Sequence, residues 1–412
     1  MAEGQYANAR EAADVLGVSA ATIYAYVSRG LIRSESTDGS KRLRRYYRED
    51  IERLKERKEM RRNPAQAAAK ALHLGSPVLE SALTLIADGR LYYRGRDATT
   101  LAATRSVEEV ASLLWLGGRD PASSSLFGAG HWQFPARCAA ADRRLTDLTG
   151  DVTPIERFQM LLPIAAAEDL AAYDLRPLAV ARTGARILRL LTLIAAGRQS
   201  SNTSIAQTLQ RGWLPRQPDS AALLQAALIL CADHELNVSA FTARCVASAN
   251  ATPYAVVIAG LSALQGAKHG GYTDQVEAFL REVRIPEQAR MSITNRLKRG
   301  EHLPGFGQPL YPEGDPRAKA LLDLTARLYP RAVAVALGKA VATQVRQTIG
   351  QHPTIDFALA VLTGALELPP GTALALFALG RTIGWIGHAI EQYQLDQLIR
   401  PRAQYVGPQP QS

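Results

Sequence analysis

A charged run, Lys55 to Arg62, ends at Asn63-Pro64, and the chain on its two sides has different chemistry. Proline biases the residue before it away from helix, so this dipeptide marks a boundary that the fold must respect. Before it lies a short, tyrosine-bearing stretch dense in charge. Beyond it, Ala65 to Leu72 is alanine-rich and suits a short connecting helix, and from Ser76 onward apolar residues at helical spacing dominate. The reading is a head over residues 1–62, a linker over 63–74 and a body over 75–412. A chain of 412 residues is long for one compact core in any case.

The body reads as mainly α. Leu79 to Leu85, the Asp88-Gly89 dipeptide and Leu91 to Tyr93 have the pattern of a small hairpin. Helices follow: Val107 to Leu116, stopped by Gly117-Gly118; Ala185 to Ala196, apolar on almost every face as a helix among helices is; then Ala221 to Cys231, Tyr254 to Gln265, Arg317 to Tyr329 and Ala373 to Glu391. Hydrophobic residues make up 47% of the chain, enough for a sizeable core. The three cysteines, Cys138, Cys231 and Cys245, form no Cys-x-x-Cys pair, so neither a disulfide framework nor a metal site is indicated. The first residues lack a signal-peptide pattern. The apolar stretch Ala332 to Leu337 is interrupted by Gly338 and Lys339, so no segment reads as long enough to span a bilayer, and the expected location is cytoplasmic. A formal net charge of +10 favours anionic partners, nucleic acid or small molecules.

In the head, Ala9 to Leu16 is a short helix, Gly17-Val18 a tight turn, Ser19 an N-cap and Ala20 to Ser28 a second helix, closed near Gly30. Two short helices around a glycine turn can present the second to a major groove. Thr22, Tyr24, Tyr26 and Arg29 are then candidates for groove and phosphate contacts. Asp38-Gly39 is a hairpin signal flanked by Lys41, Arg42, Arg44 and Arg45, which would set a basic wing against phosphates. Tyr46 to Ile51 reads as the start of a third helix. The order Ala12-Ala13-x-x-Leu16-Gly17-Val18-Ser19, Thr22-Ile23-Tyr24, Arg29-Gly30-Leu31-Ile32, Tyr47-x-x-Asp50-Ile51 resembles the winged helix-turn-helix of the MerR and excisionase type. That resemblance implies DNA as a partner of the head.

Four clusters in the body place ionisable residues in apolar surroundings: Asp233-His234-Glu235-Leu236-Asn237; His269-Gly270-Gly271; Gly305-Phe306-Gly307-Gln308 with Asp315-Pro316-Arg317 downstream; and Asp356-Phe357 followed by Arg381 and Arg400-Pro401-Arg402. Singly, each has a bland structural explanation. Together with Tyr93-Arg94-Gly95-x-Asp97 and Arg381-Thr382-x-Gly384-Trp385, and in this order, they resemble the citrate synthase family. The resemblance implies a two-domain, almost all-helical subunit with a small subdomain at about 268–360, dimeric, with its site in the cleft between domains. It implies condensation of an acyl-CoA with a 2-oxo acid such as oxaloacetate, as in the tricarboxylic acid cycle. Acyl-CoA would be the co-substrate, with no permanently bound cofactor. Asp356 would match the base that removes a proton alpha to the thioester, and His269 the donor to the thioester oxygen. His234, Arg317 and Arg381 would match ligands of the oxo acid, and Arg400 one contributed across the dimer. Arginine suits the task because its planar fork pairs with carboxylate. Arg296, Lys298 and Arg299 would be basic surface for the CoA phosphates or simply a solvated helix face.

One position departs from the pattern at the centre of the chemistry. Gln308 stands where the family has a catalytic histidine, in a register fixed by Gly305-Phe306-Gly307 before it and Arg317 after it. A glutamine amide donates a hydrogen bond but delivers no proton, and losing a positioned general acid costs about two to four orders of magnitude in rate. Pro309, Cys231 and Tyr272-Thr273 are further departures. Three readings follow: an acyltransferase of altered or weakened activity, a transcriptional regulator whose body senses a carboxylate or an acyl-CoA, and a dimer that combines catalysis with DNA binding. Whether His302 or His352 stands in for the missing group is a question for the structure.

Overall fold

The computed structural model describes residues 6–36, 44–52, 54–55, 79–118, 124–128, 130–149, 152–403 and 405–408. They fall into two compact units, Met1–Glu80 and Ser81–Ser412. The linker, Lys41, Arg42 and the Asp38-Gly39 turn lie outside the described residues.

In the first unit, helices Ala9–Leu16 and Ala20–Ser28 have the expected bounds. Asn8 caps the first helix, its Oδ1 accepting from the amides of Arg10 and Glu11 at 2.9 Å, while Glu11 reaches back to the Asn8 amide. Such a reciprocal cap satisfies donors that a helix start leaves free. Gly17 ends the helix at φ 60°, a left-handed conformation that suits glycine. Strands Ser34–Ser36 and Arg44–Tyr47 pair antiparallel, with Glu35 opposite Arg45. Strand Tyr6–Ala7, which the sequence pattern does not reveal, adds to the other edge of Arg44–Tyr47. The expectation of a helix from Tyr46 is corrected: Tyr46 and Tyr47 are strand, and helix begins at residue 48. Tyr46 is 1% exposed and packs with Ala12, Leu16, Ile23, Ile32 and Ile51 in a small core, which outweighs local propensity. Asp50 binds this core to the sheet by accepting from the Arg33 amide at 2.8 Å and its guanidinium at 2.9 Å and 3.0 Å.

The second unit is mainly helical. Its hairpin, Thr84–Ala87 with Arg90–Tyr93, turns at Asp88 and Gly89, both with positive φ, and a third strand, Arg96–Asp97, follows. The longest helix, Thr372–Leu395, runs through the main core, packed by helices Pro177–Ala196, Ser220–Leu230, Val238–Ser248 and Pro253–Leu264. By length and composition it could cross a membrane, contrary to the expectation that no segment would qualify, yet its apolar window is wholly buried in protein. Arg381 and His388 interrupt its apolar residues, so it does not stand out in the sequence as an unbroken apolar run. A smaller core gathers Val276, Phe279, Ile293, Phe306, Val341 and Phe357. Helix Ile355–Ala365 serves both: Ile355, Ala358, Leu359 and Leu362 pack into the main core, and Phe357, Ala360 and Val361 into the smaller one.

Candidate active site

One cavity of about 590 Å³ in the second unit is lined by His234, His269, Gln308, Arg317, Asp356 and Arg381. Residues up to 147 positions apart are thus brought to one space. Local structure explains how each is held.

His234 precedes Glu235, whose φ is 52°, a conformation that L residues adopt only when their surroundings enforce it. Asn237 then caps helix Val238–Ser248. His234 Nε2 lies 3.0 Å from the Tyr311 hydroxyl. Burial first, and then the cations Arg317 and Arg381, hold the His234 imidazole well below its ordinary pKa. His269 follows the end of helix Pro253–Leu264. A Cβ at Gly270 would collide with Leu264 at 2.5 Å, so the turn closes only with glycine there. His269 Nε2 sits 2.7 Å from the Ser239 hydroxyl, which is also 2.8 Å from Asn237 Oδ1. Burial, aided by Arg381, pushes the His269 pKa down to about 4. Both imidazoles are neutral donors or acceptors at neutral pH.

Gly305 and Gly307 have φ of 88° and 78°, and a Cβ at Gly305 would lie 3.0 Å from both Phe357 and Val276. This glycine-framed loop is sewn to the segment before Asp356: Gly307 donates to the His352 carbonyl at 3.0 Å, and Thr354 to that of Gly305 at 2.8 Å. Gln308 and Asp356 therefore share one wall. Asp356 is in the first turn of helix Ile355–Ala365 and accepts from the Thr354 hydroxyl at 3.2 Å. Burial pushes its carboxyl up to about 6, against the opposing pull of Arg317 and Thr354. His302 lines the cavity, with its ring 6.1 Å from that of Tyr272. His352 is absent from the lining.

Arg317 is 2% exposed. Asp315, the N-cap of helix Pro316–Leu328, holds its guanidinium at 3.0 Å and 2.8 Å. Asp315 Oδ2 also accepts the Ile355 amide at 3.2 Å, so one carboxylate ties together the helices that bear Arg317 and Asp356. Burial alone would lower the Arg317 pKa; Asp315 outweighs it. Arg381 donates Nε–H to the Cys231 carbonyl at 2.9 Å and lies 4.9 Å from the Phe377 ring centroid. Among the described residues no carboxylate pairs with it, and burial lowers its pKa. A buried guanidinium with free N–H groups facing a cavity is suited to an anion.

Other expected site residues are placed elsewhere. Arg400 is exposed and does not line the cavity of the single chain. Arg296 and Arg299 are taken up by Glu282 and Glu301, which favours the solvated-face reading of that surface. In the first unit Tyr24 is 55% exposed, and Arg29 and Arg44 are exposed. Thr22 bonds Ser19 at 2.9 Å. Tyr26 packs against the small core, and Arg45 pairs with Glu35 while lying 4.3 Å from the Tyr6 ring centroid. Sequence reasoning missed Tyr311, Ser239 and Thr354, hydroxyl partners that stand in no charged cluster.

Comparison with known proteins gives this architecture a family. The model described as citrate synthase, C-terminal domain, matches residues 73–402, and that of a helix-turn-helix domain matches residues 8–59. A Mycobacterium tuberculosis relative, named as a second citrate synthase, is 32% identical over 338 residues, which cover 79% of this chain and 88% of its own. The crystal structure of citrate synthase from Thermotoga maritima superposes with a TM-score of 0.70 at 25% identity, covering 82% of this chain and 96% of that one. The Thermoplasma acidophilum citrate synthase, solved as a ternary complex with carboxymethyl coenzyme A and oxaloacetate, shares the fold at a TM-score of 0.72 and 22% identity, covering 84% and 97%. With residues 73–402 matched and the fold shared over nearly the full length of its relatives, the chain belongs to the citrate synthase family and is an enzyme of the citrate synthase type.

Proposed function

We propose that the body condenses an acyl-CoA with a 2-oxo acid such as oxaloacetate, at a rate limited by Gln308. The observation that carries this reading is the single cavity lined by Asp356, His269, His234, Arg317, Arg381 and Gln308. Asp356 takes the proton alpha to the thioester; a carboxyl near pKa 6 is a stronger base than an ordinary one and still ionised at neutral pH. His269 is neutral, and when the Ser239 hydroxyl turns its proton from Asn237 Oδ1 to His269 Nε2, the ring carries its proton on Nδ1 and donates it in a hydrogen bond to the thioester oxygen as the enol forms. The Asp315 carboxylate offsets the charge of Arg317, so Arg381 supplies the net positive charge for one carboxylate of the oxo acid. Arg400 of a second subunit would meet the other carboxylate, which makes a homodimer part of the proposal. Gln308 polarises the carbonyl through its amide but brings no proton.

The test is thiol release from acetyl-CoA and propionyl-CoA with oxaloacetate. Slow wild-type turnover, none in Asp356→Ala, and a gain of about 10²–10⁴ in Gln308→His are expected. A wild type silent with every acyl-CoA and oxo acid pair would sink the reading.

A second reading, ligand-responsive DNA binding, is favoured by the helix-turn-helix fold of the head with Tyr24, Arg29 and Arg44 on its surface. It calls for sequence-specific binding whose affinity shifts with oxaloacetate or acyl-CoA. A duplex library that yields no preferred sequence, with or without those ligands, would reject it.

A further inference from the structure

Tyr311 does not line the cavity, yet it governs a residue that does. It is 2% exposed, and its hydroxyl oxygen lies 3.0 Å from His234 Nε2. The two rings are tilted at 58° with centroids 5.6 Å apart. Among the described residues the Tyr311 hydroxyl has no other hydrogen-bonding partner. The direction of the bond follows from this. A buried phenol must donate its one proton or leave it unpaired, and an unpaired buried donor is costly. The acceptor at hand is Nε2. A neutral imidazole has one N–H and one lone pair, so an accepting Nε2 leaves the proton on Nδ1. Burial and the neighbouring guanidiniums keep His234 from taking a second proton, and burial keeps the phenol protonated. Nδ1 makes no hydrogen bond among the described residues, and the ring borders the cavity.

We propose that Tyr311 is a positioning residue that fixes His234 as the Nδ1–H tautomer, turning a neutral N–H toward the cavity as a donor to an oxygen of an α-oxo carboxylate. The ligand class rests on the function proposed above; the tautomer does not. The chemistry is complementary to the charges around it. With Arg317 neutralised by Asp315 and Arg381 facing the carboxylate, the remaining oxygen of the ligand is served by a directed bond without a further charge. An acceptor oxygen is therefore selected at that place over a hydroxyl that must donate.

The test uses the full chain labelled with ¹⁵N, with His234→Gln to assign the signals. Two-bond ¹H–¹⁵N spectra at neutral pH are expected to show His234 as Nδ1–H in the wild type. In Tyr311→Phe the ring is expected to shift to Nε2–H, the form that free histidine favours. Calorimetry with oxaloacetate as the probe is expected to give about tenfold weaker binding in Tyr311→Phe, the loss of about one hydrogen bond. (S)-Malate, whose hydroxyl can donate to a bare Nδ1, is expected to lose less. An Nε2–H signal in the wild type, or an unchanged tautomer in Tyr311→Phe, overturns the proposal. If the variant does not fold, the wild-type spectrum decides alone. Nδ1–H in a wild type that binds oxaloacetate but releases no thiol sinks the condensation reading and upholds this one. Nδ1–H without oxaloacetate binding overturns the ligand class assigned here.

Discussion

Asp356 carries two opposed consequences of one perturbation. Its folded pKa of about 6 stands above the ordinary aspartate value of 3.8, so the folded chain binds that proton more tightly than the unfolded one. The group therefore costs no stability below about pH 4, and its penalty grows as pH rises to about 6 and is complete at neutrality. Asp356→Asn is expected to raise stability at pH 7 by about 3 kcal/mol, read from urea unfolding, while abolishing thiol release. In the wild type, kcat/KM is expected to fall with decreasing pH through a limb near 6; a flat profile from pH 5 to 8 would contradict the role given to this carboxyl. Asp315→Asn is expected to do the reverse to stability. It leaves Arg317 buried without its partner, which costs about 3–5 kcal/mol by the same unfolding measurement. The charged members of the site were legible in the sequence because an aspartate, histidine or arginine within apolar helical surroundings is conspicuous. Tyr311 and Ser239 were not. Their role lies in one hydroxyl each, directed at histidines 77 and 30 residues away, and no local pattern announces such a partner.

Helices were the most legible elements, since apolar spacing and caps such as Ser106, whose hydroxyl accepts from the Glu109 amide at 3.2 Å, coincide at their ends. Strands of two to four residues were read less well. Tyr6–Ala7 is too short to show an alternation, and Tyr46-Tyr47-Arg48 offers no signal that separates the end of a strand from the start of a helix. The close approach of helices Pro253–Leu264 and Thr372–Leu395 was likewise hidden in a single glycine. A Cβ at Gly260 would meet the Trp385 ring at 2.5 Å. Gly260→Ala must displace that ring, and a loss of about 1–3 kcal/mol is expected, read as a lower thermal midpoint. A variant as stable as the wild type would show that the two helices can part without cost.

At the scale of the molecule, each unit has its own core. The two proposed functions can therefore be perturbed separately. Arg44→Ala is expected to weaken binding to DNA, with the slope of log affinity against log salt reduced by about one, and to leave thiol release unchanged. An unchanged slope would remove Arg44 from the phosphate contacts. The two-part organisation was legible because composition changes sharply at Asn63-Pro64. Within the body, composition shows no such break: the expectation of a small subdomain at about 268–360 rested on the family resemblance, and the two cores are divided by three-dimensional packing and both draw on one helix. Helix Ile355–Ala365 gives one face to each core and carries Asp356 at its start. For a lineage under mutation, this makes the helix a poor place to experiment, since any change that suits one core is judged at once by the other. The loop at Gln308 and Pro309 is partly exposed, so the catalytic repertoire is freest to drift there, one substitution at a time, while the scaffold and the base stay inherited.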